Sequence, residues 1–200
     1  MFWFLLLLSP CSNLRLDLAV DDWFLQANIP VKDLNTVLKV IQKPFRAEVA
    51  NTSRITLRGT VPGYALVDLY AKGIISDPLS RENDVRLRPL ARLVWSYSKI
   101  VNVPGLWDLG NCVVVFDGID TVADVIINKV HYFPSHDNQF RSLVVEVSRE
   151  VLDRSDDLHI EVVIQSAIIE AGRRARVGNF IVWSGYIIIC YILPSRNIDG

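Results

Sequence analysis

Apolar and polar positions along this chain follow two different rhythms. In "DLNTVLKVIQ" (33–42), Leu34, Val37, Leu38 and Ile41 fall on one helical face, and Pro44 ends the predicted helix. "FRAEVA" and "RITLRGTV" instead alternate as half-buried strands do, with Asn51 to Ser53 as polar turn residues between them. A hairpin is therefore predicted over 45–61. After the turn signal "VPG" (61–63), "YALVDLYAKGII" (64–75) places Leu66, Val67, Tyr70 and Ile74 on one side of a helix. A polar loop leads into "RLRPLARLVWSYSKIV". There Pro89 fits a first helical turn, and Leu90, Leu93, Val94, Tyr97, Ile100 and Val101 follow helical spacing.

The second half is richer in strands. "NCVVVFD" is a continuous apolar run, which predicts a central strand. "DTVADVIINKVHYF" reads as a short helix capped by Asp120 or Thr121, followed by a strand. "FRSLVVEVS" alternates at Leu143, Val145 and Val147. "LHIEVVIQSAIIEAGRRAR" begins as a strand and ends as a helix that Gly172 stops. These elements predict an α+β fold: a single compact domain, mainly antiparallel sheet with two to four helices packed on it. Residues 1–44 form an N-terminal apolar tip and helix, and 45–200 the core domain.

Both ends are strongly apolar. "MFWFLLLLSPCSN" opens the chain, but no basic residue precedes Phe2, and Pro10 makes a poor cleavage site. Pro10 also breaks the match of "LSPC" to a lipoprotein box. Phe2 to Leu8 is too short to span a bilayer, which takes about 20 helical residues. A buried strand or a surface-active tip remains, with secretion the less favoured route. "VGNFIVWSGYIIICYIL" (177–193) carries no charge, and Ser184-Gly185 divides it as a hairpin turn does. A membrane span is the alternative there.

Composition narrows the function classes. Half of the 200 residues are apolar and the net charge is −1, so neither disorder nor a globally basic nucleic-acid binder is indicated. Three cysteines, Cys11, Cys112 and Cys190, are odd in number and widely spaced. They predict buried thiols in a reducing compartment rather than a disulfide framework or a zinc site. His131, His136 and Asp137 lack the rigid third partner a metal site needs. Gly118-Ile119-Asp120 follows an apolar strand as in nucleotide-binding sheets, but no Gly-rich phosphate loop is present. Asp117 and Asp120 suit a carboxylate pair, though loop acids beside a strand more often cap and turn. No nucleophile, base and orienting group assemble, so neither an enzyme nor a cofactor is predicted.

Charge distribution offers one further candidate. Arg86, Arg88, Arg92 and Lys99 lie in a stretch without acids, and Arg173, Arg174 and Arg176 in another. On the predicted helix, Arg92 and Lys99 share a face. They form either a solvated face paired with acids elsewhere or a surface for phosphate, in nucleocapsid or anionic lipid.

The order of "ITLRGTV", a "PGY" turn into a helix, "RLRPLARLVWSYSKI", "VNVPGLW" and "NCVVVF" resembles the matrix proteins of rhabdoviruses over residues 45–193. The resemblance implies a non-enzymatic, self-assembling virion protein that links the viral nucleocapsid to an anionic membrane surface. It would reside in the virion and the host cytoplasm. Phe2, Trp3, Phe4 and Leu5 would then insert into the membrane, standing where that family has a Lys-rich tail. No Pro-Pro-x-Tyr motif occurs. "GYALVDLYAKG" is also similar to plant-virus movement proteins. The N-terminal run and the Asn51-Thr52-Ser53 sequon leave open a secreted or membrane-anchored glycoprotein.

Overall fold

The computed structural model describes residues 16–19, 22–80, 82–108, 111–152, 154–175 and 188–194; for 133–135, 175 and 188–194 it describes the backbone alone. In chain order the elements are β1 (Leu16–Asp17), β2 (Trp23–Asn28), α1 (Val31–Val40), α2 (Lys43–Thr52), β3 (Arg54–Gly59), α3 (Ala65–Ala71), α4 (Asn83–Arg86) and α5 (Arg88–Ala91). Then follow β4 (Trp95–Asn102), β5 (Cys112–Ile119), β6 (Ala123–Ile127), β7 (Val130–His136), β8 (Leu143–Val147), α6 (Arg149–Leu152), β9 (Asp157–Ile164), α7 (Ala167–Ala175) and β10 (Ile188–Pro194). The strands form a four-stranded sheet, β1-β10-β5-β8, and a six-stranded sheet, β3-β2-β4-β9-β6-β7. Every pairing among the described residues is antiparallel.

Period-two alternation gives each sheet one apolar face. In β3 and β9 alternate residues are buried, and the pattern repeats in β2 and β6. Cys112, Val114 and Phe116 of β5 and Val145 and Val147 of β8 share one core with Trp95 and Tyr97 of β4 and Leu158, Ile160, Val162 and Ile164 of β9. The fold is thus a sandwich of two sheets around a common core. The run Val113 to Phe116 is buried at every position, as its continuous apolar character predicts, and β5 lies inside its sheet. Buried indoles keep a partner: Trp23 Nε1 donates to the Leu18 carbonyl at 2.9 Å, and Trp95 Nε1 to that of Leu90 at 3.2 Å. The α1 helix packs on α2 and α5, while α2 and α3 pack on β3.

Several predicted elements differ. "FRAEVA" lies in helix α2, not in a hairpin strand. Pro44 starts that helix instead of ending the previous one, because the first turn needs no N–H there. Ser53, at φ 50°, closes α2, and its N–H reaches the Val49 carbonyl at 2.9 Å. Helix α3 is rotated from the predicted face: Ala65, Asp68 and Leu69 are buried while Val67 and Tyr70 are exposed. "RLRPLARLVWSYSKIV" is two helical turns followed by strand β4, since "WSYS" alternates with Trp95 and Tyr97 inward. "ADVII" is strand β6, with no helix before it. Gly172 lies within α7 rather than after it.

The tip residues Phe2, Trp3, Phe4 and Leu5 lie outside the described residues, as does the Ser184-Gly185 turn. Residues 188–194 form β10, which pairs with β5 and β1. Among the described residues no helix is long and apolar enough to cross a membrane.

The β6–β7 hairpin turns on Asn128 and Lys129, with φ of 46° and 69°. Two central residues at positive φ make a type I′ turn, which favours Asn-Gly. Lysine therefore stands at a position where its Cβ is strained. Lys129→Gly should raise stability by about 0.5–1 kcal/mol, the relief of the left-handed strain less the extra entropy glycine loses on folding. A urea midpoint equal to or below that of the parent would show that the turn carries no such strain.

Candidate functional site at the loop end of the sandwich

Where β5 runs out, Asp120 follows, only 5% exposed. A carboxylate this buried needs partners. Thr121 Oγ1 donates to Asp120 Oδ1. Gln139, in the turn between β7 and β8, sets its side-chain amide 3.0 Å from both carboxylate oxygens, and the amide orientation that satisfies both groups turns its nitrogen to them. The approach depends on Gly118: a Cβ there would stand 2.8 Å from the Gln139 carbonyl oxygen. Gly118→Ala should push the Gln139 turn away from Asp120 and cost about 1–3 kcal/mol of stability, as overpacking does. A melting temperature unchanged by that substitution would mean that the turn adjusts freely.

Tyr64 precedes α3 at the same site. Burial, and then the negative charge of Asp120, push its phenol above the ordinary tyrosine value. The neighbouring acid, Asp68, accepts from the Thr60 N–H at 3.3 and 3.2 Å and is 6% exposed. Burial raises its carboxyl, while the hydrogen bonds from Thr60 and the charge of Lys72 oppose that. Gly59 leaves it room, since a Cβ there would lie 3.1 Å from Asp68 Oδ2. The loop end thus holds one acid against an amide and a phenol, and a second acid that ties β3 to α3. Chemically this arrangement accepts hydrogen bonds and fixes loops. Asp117, half-buried on β5, does not share Asp120's burial.

His136 closes β7 and is 2% exposed. Burial foremost, aided by Arg141, holds its imidazole below the ordinary value of 6.5, against the opposing effects of Asn138, Asp137 and Ile119. The unfolded chain then takes up a proton that folded His136 refuses. Its contribution to stability is complete above pH 6.5 and is lost as pH falls through that value toward the lowered one. Urea midpoints measured on either side of pH 6.5 should show this slope in the parent, and His136→Gln should lack it. Equal slopes in the two proteins would assign the effect to other groups.

Most of the predicted basic residues fall among the described residues. Arg86 is exposed beside a cavity of about 130 Å³ that Lys39 and Arg46 also line. Arg88 and Arg92 are exposed around α5. Lys99 lies on β4, pairs with Asp22 and shares a groove with Arg58 and His159, so it sits on no helical face with Arg92. Arg173 pairs with Glu170 at 2.9 Å, and Arg174 meets Asp137 at 3.3 Å. Arg176 lies outside the described residues. His131 is exposed and His136 buried, and no group of three metal-type ligands occurs among the described residues. Cys112 is fully buried, and burial pushes its thiol up to about 12. Sequence reasoning missed Gln139 and Tyr64, which lie far from Asp120 along the chain. Gly118 inside an apolar strand was the available signal for a close backbone approach.

An antiparallel two-sheet sandwich with a buried acid held among its loops is a class of architecture, not yet a family. Residues 44–186 match the model described as the glycosyl hydrolase 2 galactose-binding domain-like family, and the chain belongs to that family. It is 34% identical over 100 residues to the β-mannosidase of Mus musculus, covering 50% of this chain and 11% of that protein. To the probable β-mannosidase of Caenorhabditis elegans it is 34% identical over 117 residues, 58% of this chain and 13% of that protein. The chain therefore spans only a small part of the curated relatives it matches. Among solved structures, a β-D-mannosidase from Dictyoglomus thermophilum superposes with a TM-score of 0.61 at 21% identity, over 84% of this chain and 17% of that one. A β-galacturonidase from Eisenbergiella tayi gives 0.52 at 16% identity, over 96% and 25%. These two likenesses show the fold.

The family match overturns the resemblance to rhabdovirus matrix proteins. The nucleocapsid and anionic-membrane partners, the self-assembly and the virion location that it implied fall with it, since the relatives are enzymes of animals and fungi. The movement-protein and glycoprotein alternatives find no support in the same match. The expectation of a non-enzymatic protein is likewise corrected: the relatives are glycoside hydrolases. The resemblance rested on element order, and its second helix is two short helical turns that give way to strand β4 at Trp95.

Proposed function

We propose that this chain is the sandwich domain of a β-mannoside-cleaving hydrolase, and that its loop end braces the sugar site of that enzyme. The family match over 44–186, joined to the identity with β-mannosidases, carries the reading. Glycoside hydrolysis takes two carboxyl groups flanking the scissile bond. At the loop end, Asp120 is held by Thr121 and Gln139, and Asp68 by Thr60. Acids tied in this way position loops rather than transfer protons. The domain's part is architectural, with Asp120 and Gln139 holding the loops that face the catalytic domain.

The test compares two preparations. The native protein carrying this sequence, captured with antibody to the chain, should release nitrophenol from para-nitrophenyl β-D-mannoside. The chain alone should not. A native protein that cleaves the β-galacturonide and leaves the β-mannoside untouched overturns the substrate assignment. Hydrolysis by the chain alone overturns the architectural role.

A further inference from the structure

We propose that the cavity at the junction of α1 and α2 is a binding site for a small dianionic oxyanion, a phosphate or sulfate group. The last turn of α1, the start of α2 and helix α4 meet there, and each brings one cation to the wall: Lys39, Arg46 and Arg86 respectively. No carboxylate lines the space. Its volume of about 130 Å³ is below the range of about 300–1,000 Å³ usual for sites that enclose a drug-sized molecule, so it suits a single charged group.

These cations differ from those that already face acids. Lys99, Arg173 and Arg174 do so, whereas among the described residues no carboxylate pairs with Lys39, Arg46 or Arg86. Glu82 and Asp84 lie near Arg86 in the sequence but do not line the cavity. The first turn of α2 carries no acid either. Like charges gathered around one space repel one another, and a bound dianion turns that repulsion into attraction.

The donors are held before any ligand arrives. Arg46 Nε donates to the Ile41 carbonyl at 2.7 Å, and Nη2 to that of Lys39 at 3.4 Å. A guanidinium has five N–H groups, so three remain. Gln42 Nε2 donates to Ser76 Oγ at 2.8 Å, which leaves the Ser76 proton for another acceptor. Asn83 Nδ2, on the same lining, is fixed by the Asp77 carbonyl at 2.7 Å. Donors fixed in this way lose little further freedom when a ligand binds.

Charge and donor type select the ligand class. Lysine and arginine only donate, and a phosphate or sulfate group offers acceptor oxygens in a geometry that the arginine fork matches. A metal cation is repelled, a neutral guest leaves three charges unmatched, and a carboxylate supplies a single charge against three. The cavity shares no residue with the loop-end site. Binding there requires no hydrolysis, so the proposal goes beyond the hydrolase reading and stands without it.

The experiment titrates the full chain with inorganic phosphate and with phenyl phosphate by calorimetry, at an ionic strength held constant with sodium chloride. Sodium acetate is the monovalent control. Saturable binding of inorganic phosphate is expected, at roughly millimolar affinity. Lys39→Gln and Arg86→Gln alter exposed side chains, and each should weaken it by roughly fivefold or more, with melting temperatures close to the parent's. Arg88→Gln removes an exposed cation that does not line the cavity and should leave the affinity unchanged. Phenyl phosphate bound as well as the free ion assigns the site to the ester group of a larger molecule. Inorganic phosphate bound alone assigns it to the free ion, and either result supports an oxyanion site. Absence of saturable phosphate binding by the folded chain overturns the proposal, as does acetate bound equally tightly. Unchanged affinity in both cavity variants overturns it too, and so does an equal loss in Arg88→Gln, which would show a diffuse effect of surface charge. If one cavity variant fails to fold, the other decides by itself.

Discussion

Phe116→Ala should lower the free energy of unfolding by about 3–5 kcal/mol. Phe116 lies on β5, is fully buried, and sits opposite Cys190 of β10 and Leu143 of β8 in the strand register. Its ring belongs to the core that the two sheets share, so truncation empties space between layers rather than at a rim. Neighbouring strands are pinned on both sides by backbone ladders, so they collapse only partly into the void. A domain of this size is stable by about 5–15 kcal/mol, and the variant therefore stands near the threshold of folding. Phe116→Leu retains most of the volume and should lose less than about 1.5 kcal/mol. Urea unfolding checks both, with the slope unchanged if the native state remains intact. A loss below about 1 kcal/mol for the alanine variant would deny the packing of the two sheets on one core.

Strands whose alternation had no competitor were legible in the sequence. β3, β8 and β9 show period two and nothing else, and β5 announces its burial by a continuous apolar run. Legibility failed where one set of apolar residues fits both periods. Leu90, Leu93 and Tyr97 keep helical spacing across a boundary at which the chain changes from α5 to β4. In α2 the alternation of Phe45, Ala47 and Val49 is genuine, but Pro44 set the helix start and packing against β3 settled the outcome. The loop-end site was half visible. Asp120 is recognisable as an acid after an apolar strand, whereas Gln139 and Tyr64 arrive only through tertiary folding.

Charge misled for a related reason. A stretch without acids in sequence need not be without acids in space. Lys99 meets Asp22 across the sheet, Arg174 meets Asp137 from another element, and Glu170 lies within reach of Arg173 on the same helix. Pairs open to solvent on at least one side are worth little to stability, but these contacts show that the three cations face acids.

Asn128→Ala should cost about 2–4 kcal/mol, a large effect for a turn residue. Its side chain joins three parts of the fold. Nδ2 donates to the Val151 carbonyl of α6 at 3.0 Å, and Oδ1 accepts the His159 N–H of β9 at 2.8 Å. Its own N–H donates to the His159 carbonyl at 2.9 Å. Alanine removes both side-chain bonds and leaves the His159 N–H and the Val151 carbonyl without that partner. It also holds an ordinary Cβ at φ 46°, where asparagine is tolerated and alanine is strained. Two further variants separate the contributions. Asn128→Gly accepts the backbone geometry and loses only the bonds, so it should cost less than alanine. Asn128→Asp keeps the acceptor for His159 and loses the donor to Val151, so it should fall between the parent and alanine. Urea midpoints of the three variants give the order. If glycine proves as costly as alanine, conformational strain contributes nothing. If glycine matches the parent, the side-chain bonds contribute nothing, and the turn is held by its backbone alone.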